Sequence, residues 1–82
     1  MTDEPTERLR IADDEVIERI RERLAADPLG SEYAEQLVLV SAAGVVAVGG
    51  FVDDLDVQDH ILGIVSSVTG VRDVRDHLRL PE

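Results

Sequence analysis

The sequence has no cysteine, no tryptophan and no lysine, and its only large aromatic side chains are Tyr33 and Phe51. Without cysteine there is no disulfide framework and no thiolate chemistry. With two such rings in 82 residues, the core of this single small domain must be built from Val, Leu, Ile and Ala. The 8 basic residues, all arginine, stand against 18 acidic ones, for a net charge of −10. Such a balance repels nucleic-acid phosphates over most of the surface and excludes non-specific DNA or RNA binding. The opening MTDEPTERLR lacks a basic n-region and an apolar h-region, so the expectation is no signal peptide and a cytoplasmic protein, with peripheral membrane contact still open.

One run does lack charge altogether. LVLVSAAGVVAVGGFV, from Leu37 to Val52, is sixteen residues long and interrupted by Gly44, Gly49 and Gly50. A spanning helix needs ~20 apolar residues. Val, Leu and Phe favour a pleated surface, and Ala42-Ala43-Gly44 reads as a turn, so the run is a β-hairpin. With Ala43-Gly44 as its tight turn, Leu39 faces Val48, Val40 meets Ala47, Val38 meets Gly49 and Leu37 faces Gly50.

Residues 1–12 read as a flexible acidic N-terminal tail, with a short accessory strand through Leu9 and Ile11 as the alternative. A folded domain over 13–82 follows. Asp13 and Asp14 offer a capping carboxylate, Glu15 adds charge to the first turn, and Val16, Ile17, Ile20 and Leu24 share one helical face. Glu15 with Arg19 and Glu18 with Arg21 are expected as surface pairs. Asp27-Pro28 ends the helix, and LGSEYAE reads as a polar loop. After the hairpin, Asp53 or Asp54 caps a second helix whose stripe is Val57, Ile61, Ile64, Val65 and Val68. Gly63 is expected to let helix and sheet approach closely, and Gly70 to terminate the helix. VRDVRDHLRL then alternates as a third strand. The fold class is α+β, ordered α-β-β-α-β, with a three-stranded mixed sheet and two helices packed on one face.

Three stretches carry a family resemblance. DDEVIERIRERLAADP is similar to the first helix of the BON domain, the bacterial osmotic-shock and nodulation domain. GVVAVGGFV, Gly44 to Val52, resembles its G-x-V-x-L-x-G-x-V hairpin, with Gly44 and Gly50 in the glycine places. VTGVRDVRDHLRL, from Val68, resembles its closing V-x-G-V-x-x-V-x-x-x-L-x-V, departing at Asp76, where the family often has Asn. The resemblance implies a stand-alone BON-like domain over 13–82. It further implies a non-catalytic phospholipid- or ligand-interaction module, of the kind associated with stress response and the cell envelope.

The residues themselves point away from catalysis. No serine has an elbow motif around it, and GVVAVGG lacks the Lys and the following Ser/Thr of a phosphate loop. No GxxG loop or basic surface of an RNA-binding KH domain is present. Asp56 and His60, one turn apart, make half a metal site at most, and a solvated helix face is the simpler reading. Asp53, Asp54, Asp56 and Asp59 lack the glycine and Glu of an EF-hand; capping and solubility account for them, with a weak cation-binding module as an alternative. No metal or cofactor is expected.

The back of the sheet is more informative. If the helices cover Leu39, Val46, Val48, Val74 and Leu78, then Val38, Val40, Val45, Ala47 and Phe51 face the other way. Arg75, His77 and Arg79 join them by alternation. An apolar patch beside a basic strip suits an anionic phospholipid surface. The alternatives are that the tail around Leu9 and Ile11 folds over the patch, or that it meets another protein: a soluble adaptor or a weak homo-oligomer using the same face or an edge strand.

Overall fold

The computed structural model describes residues 12–81; the expected tail, with its Leu9 and Ile11 alternative, lies outside them except for Ala12. The described chain runs α1 (Asp13–Ala26), α2 (Gly30–Tyr33), β1 (Val38–Ala42), β2 (Val45–Phe51), α3 (Leu55–Ser66) and β3 (Asp73–Arg79). β2 is the central strand, antiparallel to β1 and parallel to β3. This is the α+β arrangement expected from the alternation of patterns, with one short helix added. No helix among the described residues is long and apolar enough to cross a membrane.

The hairpin register is set at its turn. Ala43 has φ 53° and Gly44 φ 86°, the two positive values of a type I′ turn, whose twist matches that of the strands it joins. Leu39 therefore pairs with Val48, Val40 with Ala47 and Val38 with Gly49. The helix-side parity then buries Val46 and Val48 completely, along with Val16, Ile20 and Leu24 of α1 and Ile61 and Val65 of α3. Val52, Val57, Val68, Leu37 and Tyr33 complete a core with no buried charged residue. Gly50 and Gly70 also have positive φ.

Asp13 does not cap α1. The N-cap is Ala12, without a side-chain bond, and Asp13 lies in the first turn. Its carboxylate instead reaches the hairpin, accepting from Ser41 Oγ at 2.8 Å, Ala43 N at 3.1 Å and Gly44 N at 3.3 Å. One side chain thus fastens α1 to the turn, and the turn's exposed amides prove a stronger claim on it than its own helix end.

Asp27 stops α1 in extended geometry, as the following proline requires. Its Oδ2 then accepts from Leu29 N, from Gly30 N at 2.7 Å and from His60 Nε2 at 2.8 Å. The first two bonds start α2 where a polar loop was expected. α2 crosses so close to α1 that a Cβ on Gly30 would stand 2.9 Å from the Leu24 carbonyl oxygen. It also delivers Tyr33 to the core, with its hydroxyl donating to Asp53 at 2.6 Å. His60 ties α3 to this corner rather than pairing with Asp56. Of the expected surface pairs, Glu15–Arg19 forms at 2.9 Å, while Arg21 donates to the Ala34 carbonyl and leaves Glu18 aside.

α3 is capped by Asp54, whose Oδ1 accepts from Val57 N. It ends at Ser66, so Gly70 serves the turn into β3 rather than the helix terminus. Gly63 does not mediate close packing: a Cβ there would meet nothing within 4 Å, because the position faces outward. Helix propensity is then the only effect at work, and Gly63→Ala should stabilise the domain by about 1 kcal/mol. That corresponds to roughly 4–8 °C in melting temperature.

Ala43→Asn should also stabilise, by up to about 1 kcal/mol in chemical denaturation, because asparagine tolerates the left-handed geometry that alanine resists. The Gly30 amide, reinforced by the His60 hydrogen bond, holds the Asp27 carboxyl below its ordinary value of 3.8. That contribution is complete above the unfolded pKa and is lost as pH falls through the lower folded one. Below about pH 3.8 the native protein should lose stability more steeply than Asp27→Asn, followed by denaturation across an acid series.

Candidate functional site: the open sheet face

Alternation along three registered strands makes the uncovered face a small lattice. Its rows are Ala42-Val45-Asp73, Val40-Ala47-Arg75 and Val38-Gly49-His77, and Phe51 beside Arg79 closes the end. Each column has its own chemistry. On β1 the column is apolar and strongly exposed, Val38 at 61% and Val40 at 56%. On β2 it is small, Val45, Ala47 and Gly49, until Phe51 stands out at 69% exposed. On β3 it is polar, with Arg75, His77 and Arg79 all exposed and one aspartate, Asp73, against them.

All eight residues singled out from the sequence, Val38, Val40, Val45, Ala47, Phe51, Arg75, His77 and Arg79, therefore share this face. Ala42 shares it at the turn end of β1, and two further residues bear on its chemistry. Asp73 lies on it and stands 3.6 Å from the Arg75 guanidinium, a solvent-screened pair that leaves Arg79 as the freer cation. Gly49 is the floor of a trough between Val38 and His77. A Cβ there would sit 3.8 Å and 3.9 Å from their Cβ atoms, ordinary contact, so neither backbone nor packing demands glycine. The signal for both lay in the same period-2 alternation that identified their neighbours.

The opposite parity of β3 is spoken for. Val74 and Leu78 pack against the core, and Asp76 accepts from Gln58 Nε2 of α3 at 2.6 Å and from Leu78 N at 2.9 Å. The acidic residues following β2 line an open cleft with Leu55, Leu80 and Pro81, but Asp54 is committed to its helix cap and Asp53 to Tyr33. Among the described residues no group of three or more His, Asp or Glu side chains is gathered as metal ligands. His60 is engaged by Asp27. What the open face offers is area and charge, suited to holding a surface.

Comparison with known proteins agrees with this geometry. No curated protein matches the chain. The family model of the BON domain matches residues 12–82, nearly the whole sequence and as a single domain. BON domains are non-enzymatic binding domains. With α-β-β-α-β order, a mixed three-stranded sheet and a family match over almost its full length, the chain belongs to the BON domain family.

Proposed function

We propose that this domain is a non-catalytic module that rests its open sheet face on an anionic phospholipid surface. Phe51 enters the interfacial layer, Val38 and Val40 supply flanking apolar area, and Arg79 and Arg75 meet the head-group phosphates. The observation that carries the reading is the coincidence, on one face left open by the described residues, of exposed apolar side chains on β1 and at Phe51 with an arginine column on β3. Arginine suits the role because its planar fork can contact phosphate oxygens in pairs.

Magnitudes place the contact in the weak range. Burying about 400 Å² of apolar surface at ~25 cal/mol/Å² gives ~10 kcal/mol gross. Association costs of roughly 4–15 kcal/mol consume much or all of it. The net charge of −10 opposes approach to an anionic bilayer from every direction except this face. Binding is therefore expected to be reversible and salt-sensitive.

Co-sedimentation with phosphatidylglycerol-rich vesicles should show binding at low salt that weakens at physiological salt, with little on pure phosphatidylcholine. Phe51→Asp combined with Arg79→Glu should abolish it while leaving the melting temperature nearly unchanged, since both side chains are exposed. Binding absent at both salts, or unaffected by the double substitution, would overturn the reading.

A further inference from the structure

The sheet has two free edges, and they are not equivalent. On β3, the Arg79 carbonyl accepts from Val52 N on the β2 side. Alternation then points the odd-numbered amides inward and those of Val74, Asp76 and Leu78 outward. Two of these three are already taken, Val74 N by Asp73 Oδ1 and Leu78 N by Asp76 Oδ1, both at 2.9 Å. Carboxylates folded back onto an edge are a standard protection against pairing with another strand. Antiparallel pairing of β3 with a second β3 about its centre would also set Asp76 against its own copy, which like charges oppose.

β1 has no such guard. Its two-residue turn makes Ala42–Val45 the hydrogen-bonded pair that closes the hairpin, so Val40 and Val38 also bond toward β2. Leu39 and Ser41 therefore turn their N–H and C=O groups outward, and no group among the described residues takes either amide. The strand is VLVSA, without charge or proline, and two of its side chains are among the most exposed apolar groups of the domain.

We infer that the β1 edge pairs antiparallel with β1 of a second copy, about a two-fold axis through Val40. That register satisfies every outward group at once. Leu39 exchanges two N–H···O bonds with the partner's Ser41, and Ser41 does the same with the partner's Leu39. Val40 falls opposite its own copy as a non-hydrogen-bonded pair, the position where cross-strand side chains lie closest. Val38 falls opposite the partner's Ala42. The product is a continuous six-stranded sheet with all helices on one side. Both open faces then lie side by side, apolar in the middle and flanked by two arginine columns. The contact is small, below the ~1,200–2,000 Å² of stable interfaces, so the dimer is a dissociable one. It goes beyond the lipid reading and does not depend on it, although two faces presented together would add avidity to either one.

Salt separates the two proposals. Each copy carries a charge of −10, so screening should favour the dimer, whereas it weakens attachment to anionic vesicles. Sedimentation from micromolar to millimolar protein should show an average mass climbing from one chain toward two, more steeply at higher salt. Val40→Lys should hold the mass at one chain across that range of concentration and salt. Because the sequence has no cysteine, Val40→Cys offers a direct probe: mild oxidation should yield a covalent dimer far faster than Glu22→Cys on the exposed side of α1. A mass of one chain at millimolar protein and high salt, cross-linking no faster than the Glu22→Cys control, or a dimer that survives Val40→Lys would each overturn the inference.

Discussion

The two-residue turn at Ala43 and Gly44 is the constraint on which the rest of the domain depends. A strand side chain has only two directions, so one turn of fixed length assigns every residue of β1 and β2 to the core or to the open face. A single added residue in the turn would exchange Val46 and Val48 for Val45 and Ala47 beneath the helices. Protection of that geometry comes from a distance: Asp13 takes both turn amides and the Ser41 hydroxyl, so the position of α1 and the register of the hairpin are decided together. The same region seats β3, because the Gly44 carbonyl accepts from Arg72 N at 2.8 Å, just where the parallel strand begins.

Patterns that repeat over many residues were legible in the sequence. The hairpin register, the stripes of α1 and α3 and the two faces of β3 follow from periods of 2 and 3.6 and from a glycine at the turn. What escaped was set by single contacts between distant positions. Asp13 looked like a cap because nothing local reveals a hairpin turn thirty residues on. The four residues of α2 are too few to show a period, and Asp27 and the close approach at Gly30 create the helix. His60 read as part of a solvated helix face, yet Asp27 is presented to it by the end of another helix. Gly63 was assigned a packing role on its residue type, which says nothing about which way the helix is turned.

The eight face residues were legible for the first reason, and the same alternation placed Gly49 and Asp73 beside them without marking either as part of the site. A glycine in a strand reads as a weakness until its row shows Val38 and His77 rising on either side of it. Asp73 reads as one more acid in an acidic chain, yet its carboxylate stands 3.6 Å from the Arg75 guanidinium two residues along the same strand. Function on this fold therefore rests on which residues the register brings into one row, and composition alone hides that. Two long helices and one of four residues give helical surface enough for only one side of a three-stranded sheet. Among the described residues the other side of the sheet stays open, a direct consequence of the element order.

Charge placement explains how so acidic a protein can present a face to a negative surface. The acids lie mainly along the outward sides of α1 and α3 and in the segment following β2, while Arg75 and Arg79 stand on the open side of the sheet. At long range the net charge dominates and repels. Within about a Debye length, ~8–10 Å at moderate salt, the nearer groups count most, and on the open face these are Arg75 and Arg79 against one aspartate, Asp73. On the lipid reading this asymmetry acts on orientation before it acts on affinity. A contact that is weak for one copy and permitted in one orientation gains most from a rigid second copy facing the same way. An unguarded, uncharged edge strand beside that face meets this geometric requirement.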